Sequence, residues 1–209
     1  MRHVLKGALV LGIALIPRAV TAQVVDQQQT TVSAIFRFLS GGWSAQSFVP
    51  TQNNVSGAGF FIYELFTPGT LDMQLWSDLP SNSGASLLAS GFTSMLTTGW
   101  QDAFWSAVSV TPGNTYFLAV NSPVGDGYDA DASSAYPYGS AYYNYAPAVT
   151  SAYTPFSNLD LTFREYYATS SVVTPEPASM TLLATGLVGV FGAAWRKRKA
   201  ASAATRRSA

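Results

Sequence analysis

The groups in this 209-residue chain that could do chemistry are few, and their kinds are informative. There is no cysteine, the one histidine is His3, and the lysines, Lys6, Lys197 and Lys199, are all terminal. The central region therefore offers no thiolate nucleophile, imidazole base, soft-ligand zinc site or Schiff-base lysine. Carboxylates, hydroxyls, tyrosines, Arg37 and Arg164 remain. Paired carboxylates can hydrolyse a glycoside, one as acid and one as nucleophile or base. Glu64, Asp72, Asp78, Asp102 and Glu165 are the candidates, but no local motif brings two of them together, and acids alternating along strands equally make a solvated face. No catalytic residue is assigned. The chain reads as non-enzymatic, with a secreted glycoside hydrolase-like enzyme as the alternative.

Two further clusters could bind. "GDGYDADAS" sets Asp126, Asp129 and Asp131 in a glycine-containing stretch read as a loop, where hard oxygens could hold a structural calcium ion. It lacks the helix-flanked signature and the closing glutamate of the common calcium loop, and a solvated acidic loop is the plainer reading. No other cofactor is expected. "YPYGSAYYNYAPAVTSAY" places six tyrosines within eighteen residues. Tyr136, Tyr138 and Tyr142 flank Pro137 and Gly139 and are expected to be exposed, as platforms for sugar rings. Core packing is the competing role, and it suits Trp76, Trp105 and Tyr116.

The elements that position these groups follow from a period of two, with turn residues every eight to twelve positions. In "LDMQLW", Leu71, Met73 and Leu75 alternate with Asp72 and Gln74. In "LDLTFR", Leu159, Leu161 and Phe163 alternate with Asp160, Thr162 and Arg164. Each is expected to have one dry and one wet face. "TPGT" at 67–70 and "TPGN" at 111–114 both suit type II turns, with proline presetting φ and glycine accepting a positive φ. They are expected to join Phe60–Phe66 to Leu71–Trp76, and Phe104–Val110 to Thr115–Val120, as neighbours. Further strands are expected at Ala34–Leu39, Ala45–Val49, Ser86–Phe92, Ser140–Tyr145 and Leu159–Tyr166, with 81–86 as a loop. About nine strands and no long helical period between Gln23 and Thr174 imply an all-β sandwich or barrel.

Charge is uneven although the formal net charge is zero. Between Gln23 and Thr174 two cations stand against ten acids, a net charge of −8, which makes nucleic acid an unsuitable partner. Arg2 and Lys6, the apolar stretch from Val4 to Ile16, Pro17 and the small residues up to Ala22 read as a signal peptide at 1–22, an uncleaved anchor being the alternative. A β-sandwich domain at 23–171 follows. Near the other end, 178–195 carries no charge and would reach about 27 Å as a helix, marginally enough to span a bilayer. Arg196, Lys197, Arg198 and Lys199 then suit a cytoplasmic stop, leaving 200–209 as a cytoplasmic tail.

The order of Pro175-Glu176-Pro177, a short apolar helix and a basic cluster closely resembles the PEP-CTERM sorting signal of Gram-negative bacteria, over 172–199. The resemblance implies a substrate of an exosortase, a membrane-embedded cysteine transpeptidase, in an organism that makes exopolysaccharide. It implies an inner-membrane-anchored precursor that is processed and then released to the cell surface or beyond. The two prolines keep the glutamate extended, as a processing enzyme prefers. The tail after the cations is longer than usual for that family. Between Ala45 and Tyr167 the chain also resembles, less specifically, the jelly-roll-like domains of other exported proteins of this kind.

Overall fold

The computed structural model describes residues 20–38, 41–133, 136–156 and 158–171. Residues 1–19 of the signal peptide expected at 1–22, together with Pro175-Glu176-Pro177, the expected 178–195 helix and the basic cluster, lie outside them, whereas 20–22, the last residues of that expected signal peptide, open the first strand. The described residues form an all-β fold, with a compact unit at 21–169. Its strands are β1 (Val20–Gln29), β2 (Ala34–Phe38), β3 (Trp43–Phe48), β4 (Asn54–Trp76), β5 (Leu87–Met95), β6 (Gly99–Ser109), β7 (Tyr116–Ser133), β8 (Ala141–Asn144), β9 (Thr154–Pro155), β10 (Leu159–Leu161) and β11 (Phe163–Ser171). The backbone of the unit runs β1-β11-β4-β7-β3-β8-β9, with β5 and β6 on β4 and β2 and β10 on β7.

Strand β4 explains this branching. Its first half pairs with β11 and β6, so that Phe60 faces Phe163 on one side and Gln101 on the other. Its second half pairs with β5 and β7, so that Leu75 faces Ala89 and Leu118. Phe60 and Ile62 from the first half meet Leu71, Met73 and Leu75 from the second in one core with Phe48, Leu118, Val120 and Phe163. All nine are fully buried, and burying each such side chain contributes about 1.5–3 kcal/mol. A smaller cluster of Trp43, Ala45, Trp76, Phe117 and Ala119 sits on the opposite face of β3, β4 and β7, covered in part by Leu79, Tyr142 and Tyr153.

Three expectations are corrected here. "TPGT" is no turn: β4 stays extended through it, and successive register shifts against β7 between Leu65 and Thr70 absorb the irregularity. A bulge tolerates Pro68, which has no N–H to give the ladder. "TPGN" does turn, with Gly113 at φ 84° and the Asn114 amide donating to the Thr111 carbonyl at 3.2 Å. The strands that it links, β6 and β7, pair with β4 rather than with each other. Finally, the Leu159–Tyr166 strand divides into β10 and β11, and two of the three residues of its supposed wet face, Asp160 and Thr162, are buried, while Arg164 stays partly exposed.

β1 lies beside β11, and the Thr169 hydroxyl donates to the Ala22 carbonyl at 3.4 Å, so the first and last parts of the unit are adjacent. Beneath them Glu165 is fully buried, and neither carboxyl oxygen accepts a hydrogen bond. Desolvation, with a further push from the Asp26 carboxylate, raises its pKa to about 9; the Gln27 backbone amide, nearby but outside hydrogen-bond geometry, acts the other way without offsetting this. Folded Glu165 thus holds its proton at neutral pH, whereas the unfolded chain releases it near the ordinary value of 4.5. Its contribution to stability is complete below about 4.5 and declines as pH rises towards 9. Glu165→Gln should accordingly flatten the fall in melting temperature between pH 5 and 9, and raise the midpoint at pH 8 by about 4 °C or more. Parallel melting curves for variant and parent across that range would refute a neutral Glu165.

Candidate functional site

The tyrosine-rich segment is held by a buried polar bracket. The Gln46 amide nitrogen donates to Asp160 Oδ1 at 3.0 Å, and its oxygen accepts the Leu161 amide at 2.8 Å. Asp160 Oδ2 accepts the Tyr136 amide at 3.0 Å. The Tyr136 hydroxyl then accepts the Val49 amide at 3.2 Å and donates to Gln27 Oε1 at 3.1 Å. Tyr136 is thereby only 6% exposed, its ring edge-on to Phe163 at 5.2 Å, which corrects the expectation that it faces solvent.

Two residues on, Tyr138 is 64% exposed, with its ring edge-on to Tyr136 at 5.8 Å. Gly139 fixes that exit: a Cβ there would lie 1.9 Å from the Ser47 carbonyl oxygen, so only glycine lets the segment pass flush against β3. Ser140 and Ser47 lock the contact, amide to carbonyl at 3.0 Å and amide to hydroxyl at 2.8 Å. Tyr142 points the other way, half-buried with its ring 5.8 Å from Phe117. Of the three tyrosines singled out in the sequence, one is a brace, one is exposed and one packs on the smaller cluster.

Tyr138 borders an open cleft of about 520 Å³ with Gln27, Val49, Pro50, Thr51, Pro112 and Gly113. The "TPGN" turn builds one wall, since the Gly113 amide donates to the Pro50 carbonyl at 3.0 Å. Behind the lining, Asp26 fixes the Thr51 segment by accepting the Thr51 and Gln52 amides at 2.7 and 3.2 Å, and the Thr51 hydroxyl. An aromatic face beside hydroxyl and amide groups can hold a ligand with one apolar face and several hydroxyls. Gln27, Thr51 and the prolines carry no sequence signal for this role. They come from three segments that only the fold brings beside Tyr138.

The carboxylates considered for catalysis are dispersed. Asp102 is bound by Arg164, whose Nε donates at 2.8 Å and whose terminal nitrogen pairs with the other oxygen, and by the Tyr166 hydroxyl at 2.9 Å. Arg164 also lies 4.3 Å from the Trp100 ring centroid. This bridge spans β6 and β11 over Gly59 of β4, where a Cβ would collide with Asp102 Oδ1. Glu165 is sealed beneath the sheet, Asp78 accepts the Leu79 amide in its own loop at 2.7 Å, and Glu64 is exposed on β4. Asp126, Asp129 and Asp131 belong to strand β7 rather than a loop, with Asp129 in register with Phe36 and Ile62, and Asp131 with Ala34 and Leu161. The side chains of these three lie outside what the structure describes, and among the described residues no group of three or more acids, histidines or cysteines could hold a metal.

Gly139→Ala should therefore destabilise the protein by about 2 kcal/mol or more, because the clash is with backbone that cannot swing aside. A thermal midpoint equal to that of the parent would contradict the close packing of this segment on β3.

None of the curated proteins matches this sequence. Among solved structures, the chain is similar to the cysteine protease and lectin-like domains of Cwp84, a surface layer associated protein of Clostridium difficile, with 10% identity and a TM-score of 0.41. That match covers 66% of this chain and 36% of the other, and is too distant to assign a fold or a ligand. The tail is specific where the domain is not. Residues 173–199 match the family model described as the PEP-CTERM protein-sorting motif, so this chain carries a PEP-CTERM sorting signal, which indicates export.

Proposed function

We propose that the chain is a non-enzymatic surface or matrix protein whose β-sandwich, jelly-roll-like in kind, contacts extracellular polysaccharide through the cleft beside Tyr138. The observation that carries this reading is the exposed Tyr138 ring, set by the buried bracket and by Gly139 against a cleft of about 520 Å³ with hydroxyl and amide groups. The sorting motif supports the destination, since it marks export. In this reading the apolar helix at 178–195 holds a precursor in the inner membrane. An exosortase-type transpeptidase then acts at or near Pro175-Glu176-Pro177 and frees the protein to the cell surface. A hydrolase is disfavoured because Asp102 is committed to Arg164 and Glu165 has no path to solvent.

Two measurements test the proposal. Protein recovered from the cell surface should have lost 196–209, as read by intact mass; persistence of that segment would refute processing. On an array of polysaccharide fragments that includes the producer's own polymer, the purified protein should bind neutral glycans. Tyr138→Ala should weaken that binding about tenfold at an unchanged melting temperature, the cost of one stacked ring. Equal binding by the variant, or none by the parent, would overturn the assignment of the cleft.

A further inference from the structure

A second cleft, of about 500 Å³, lies at the second half of β4, where Asp72, Gln74, Ser90, Phe92 and Phe104 line it. The β4–β5 register puts Asp72 directly opposite Phe92, and Gln74 opposite Ser90. Directly opposed residues share a face of the sheet with Cβ atoms about 5 Å apart, so the four side chains form a two-by-two grid. Within it the chemistry is unbalanced. Asp72 makes no hydrogen bond or ion pair among the described residues, and burial without compensation pushes its carboxyl above the ordinary range. Phe92 is 74% exposed, and Phe104 is half-exposed beside it at the same cleft. Gln74 is held in place by the Trp76 indole, which donates to its amide oxygen at 2.8 Å.

A neutral sugar could donate hydroxyls to the carboxylate but would leave its charge unpaired, and an apolar ligand would bury it further. A cation with an apolar body answers both demands: the charge pairs with Asp72 in a partly desolvated setting, and the flank of the ligand rests on the Phe92 ring, whose face attracts positive charge. The net charge of −8 between Gln23 and Thr174 draws such ligands towards the protein. We propose that the Asp72–Phe92 cleft is a binding site for an organic ammonium group carried on an apolar framework, as in an amino sugar or a lysine side chain. The site is separate from the Tyr138 cleft and does not depend on it.

The test is calorimetric titration of the full-length protein in detergent with three probes: the tetramer of glucosamine, the tetramer of N-acetylglucosamine, and a tetralysine amide. At least one amine-bearing probe should bind with a millimolar or tighter dissociation constant, and the one that does names the source, glycan or protein. Asp72→Asn should weaken that binding at least tenfold and Phe92→Ala about fivefold, while Glu64→Gln, which removes the same charge from an exposed position, should have little effect. Because both altered side chains lie at the surface, the melting temperature checks that each variant is folded. Tyr138→Ala should leave binding of the amine probe intact, and Asp72→Asn should leave binding at the Tyr138 cleft intact, so the two sites fail separately. Binding of neither amine probe, or equal weakening by Asp72→Asn and Glu64→Gln, would overturn the proposal.

Discussion

The continuity of β4 is the constraint on which this structure depends. One 23-residue strand gives its first half to β6 and β11 and its second half to β5 and β7, and so carries both walls of the main core. A turn at Pro68-Gly69 would have paired the two halves with each other as an ordinary hairpin. The extended passage instead keeps them in one strand that other strands pair with, and the register shifts between Leu65 and Thr70 take up the mismatch. Side chains that cross β4 add to the joint. Arg164 and Asp102 meet over Gly59, and Phe104 and Tyr166 pack edge to face at 5.0 Å in the next row.

Polar groups buried off this frame fix the finer geometry. Gln46 and Asp160 satisfy each other and two backbone amides with no water needed, and a satisfied buried network specifies one arrangement of the chain. That arrangement sends Tyr136 inward and Tyr138 outward. Glu165 is the opposite case, a buried carboxyl that receives no hydrogen bond and is tolerable only when neutral. The same region thus holds a source of rigidity and a source of pH sensitivity, close to the point where the chain leaves for the sorting motif.

Legibility in the sequence differed with the range of the interaction. The tail was legible because its order of proline-flanked glutamate, apolar run and basic cluster is local. The strands were legible where alternation is regular, as with Leu71, Met73 and Leu75, all buried as expected. "TPGT" and "TPGN" carry the same turn chemistry, yet only the second turns, because pairing on both sides of β4 overrides the local preference of the first. Asp160 looked like a surface residue because alternation cannot reveal a partner such as Gln46, 114 positions away. Tyr136 and Tyr138 are on equal footing in the sequence, and only the Asp160 and Gly139 contacts separate them. The Asp72–Phe92 pairing likewise exists only in the register of β4 with β5.

The central claim is that a rigid β frame presents the Tyr138 cleft as a site for extracellular glycan. Amide hydrogen exchange of the full-length protein, measured with and without a polysaccharide fragment that it binds, addresses it most directly. The account predicts slow exchange throughout β4 in both states, with added protection on binding confined to peptides around Gln27, Thr51, Gly113 and Tyr138. Protection appearing elsewhere, or fast exchange through Pro68-Gly69 that divides β4 in two, would contradict it.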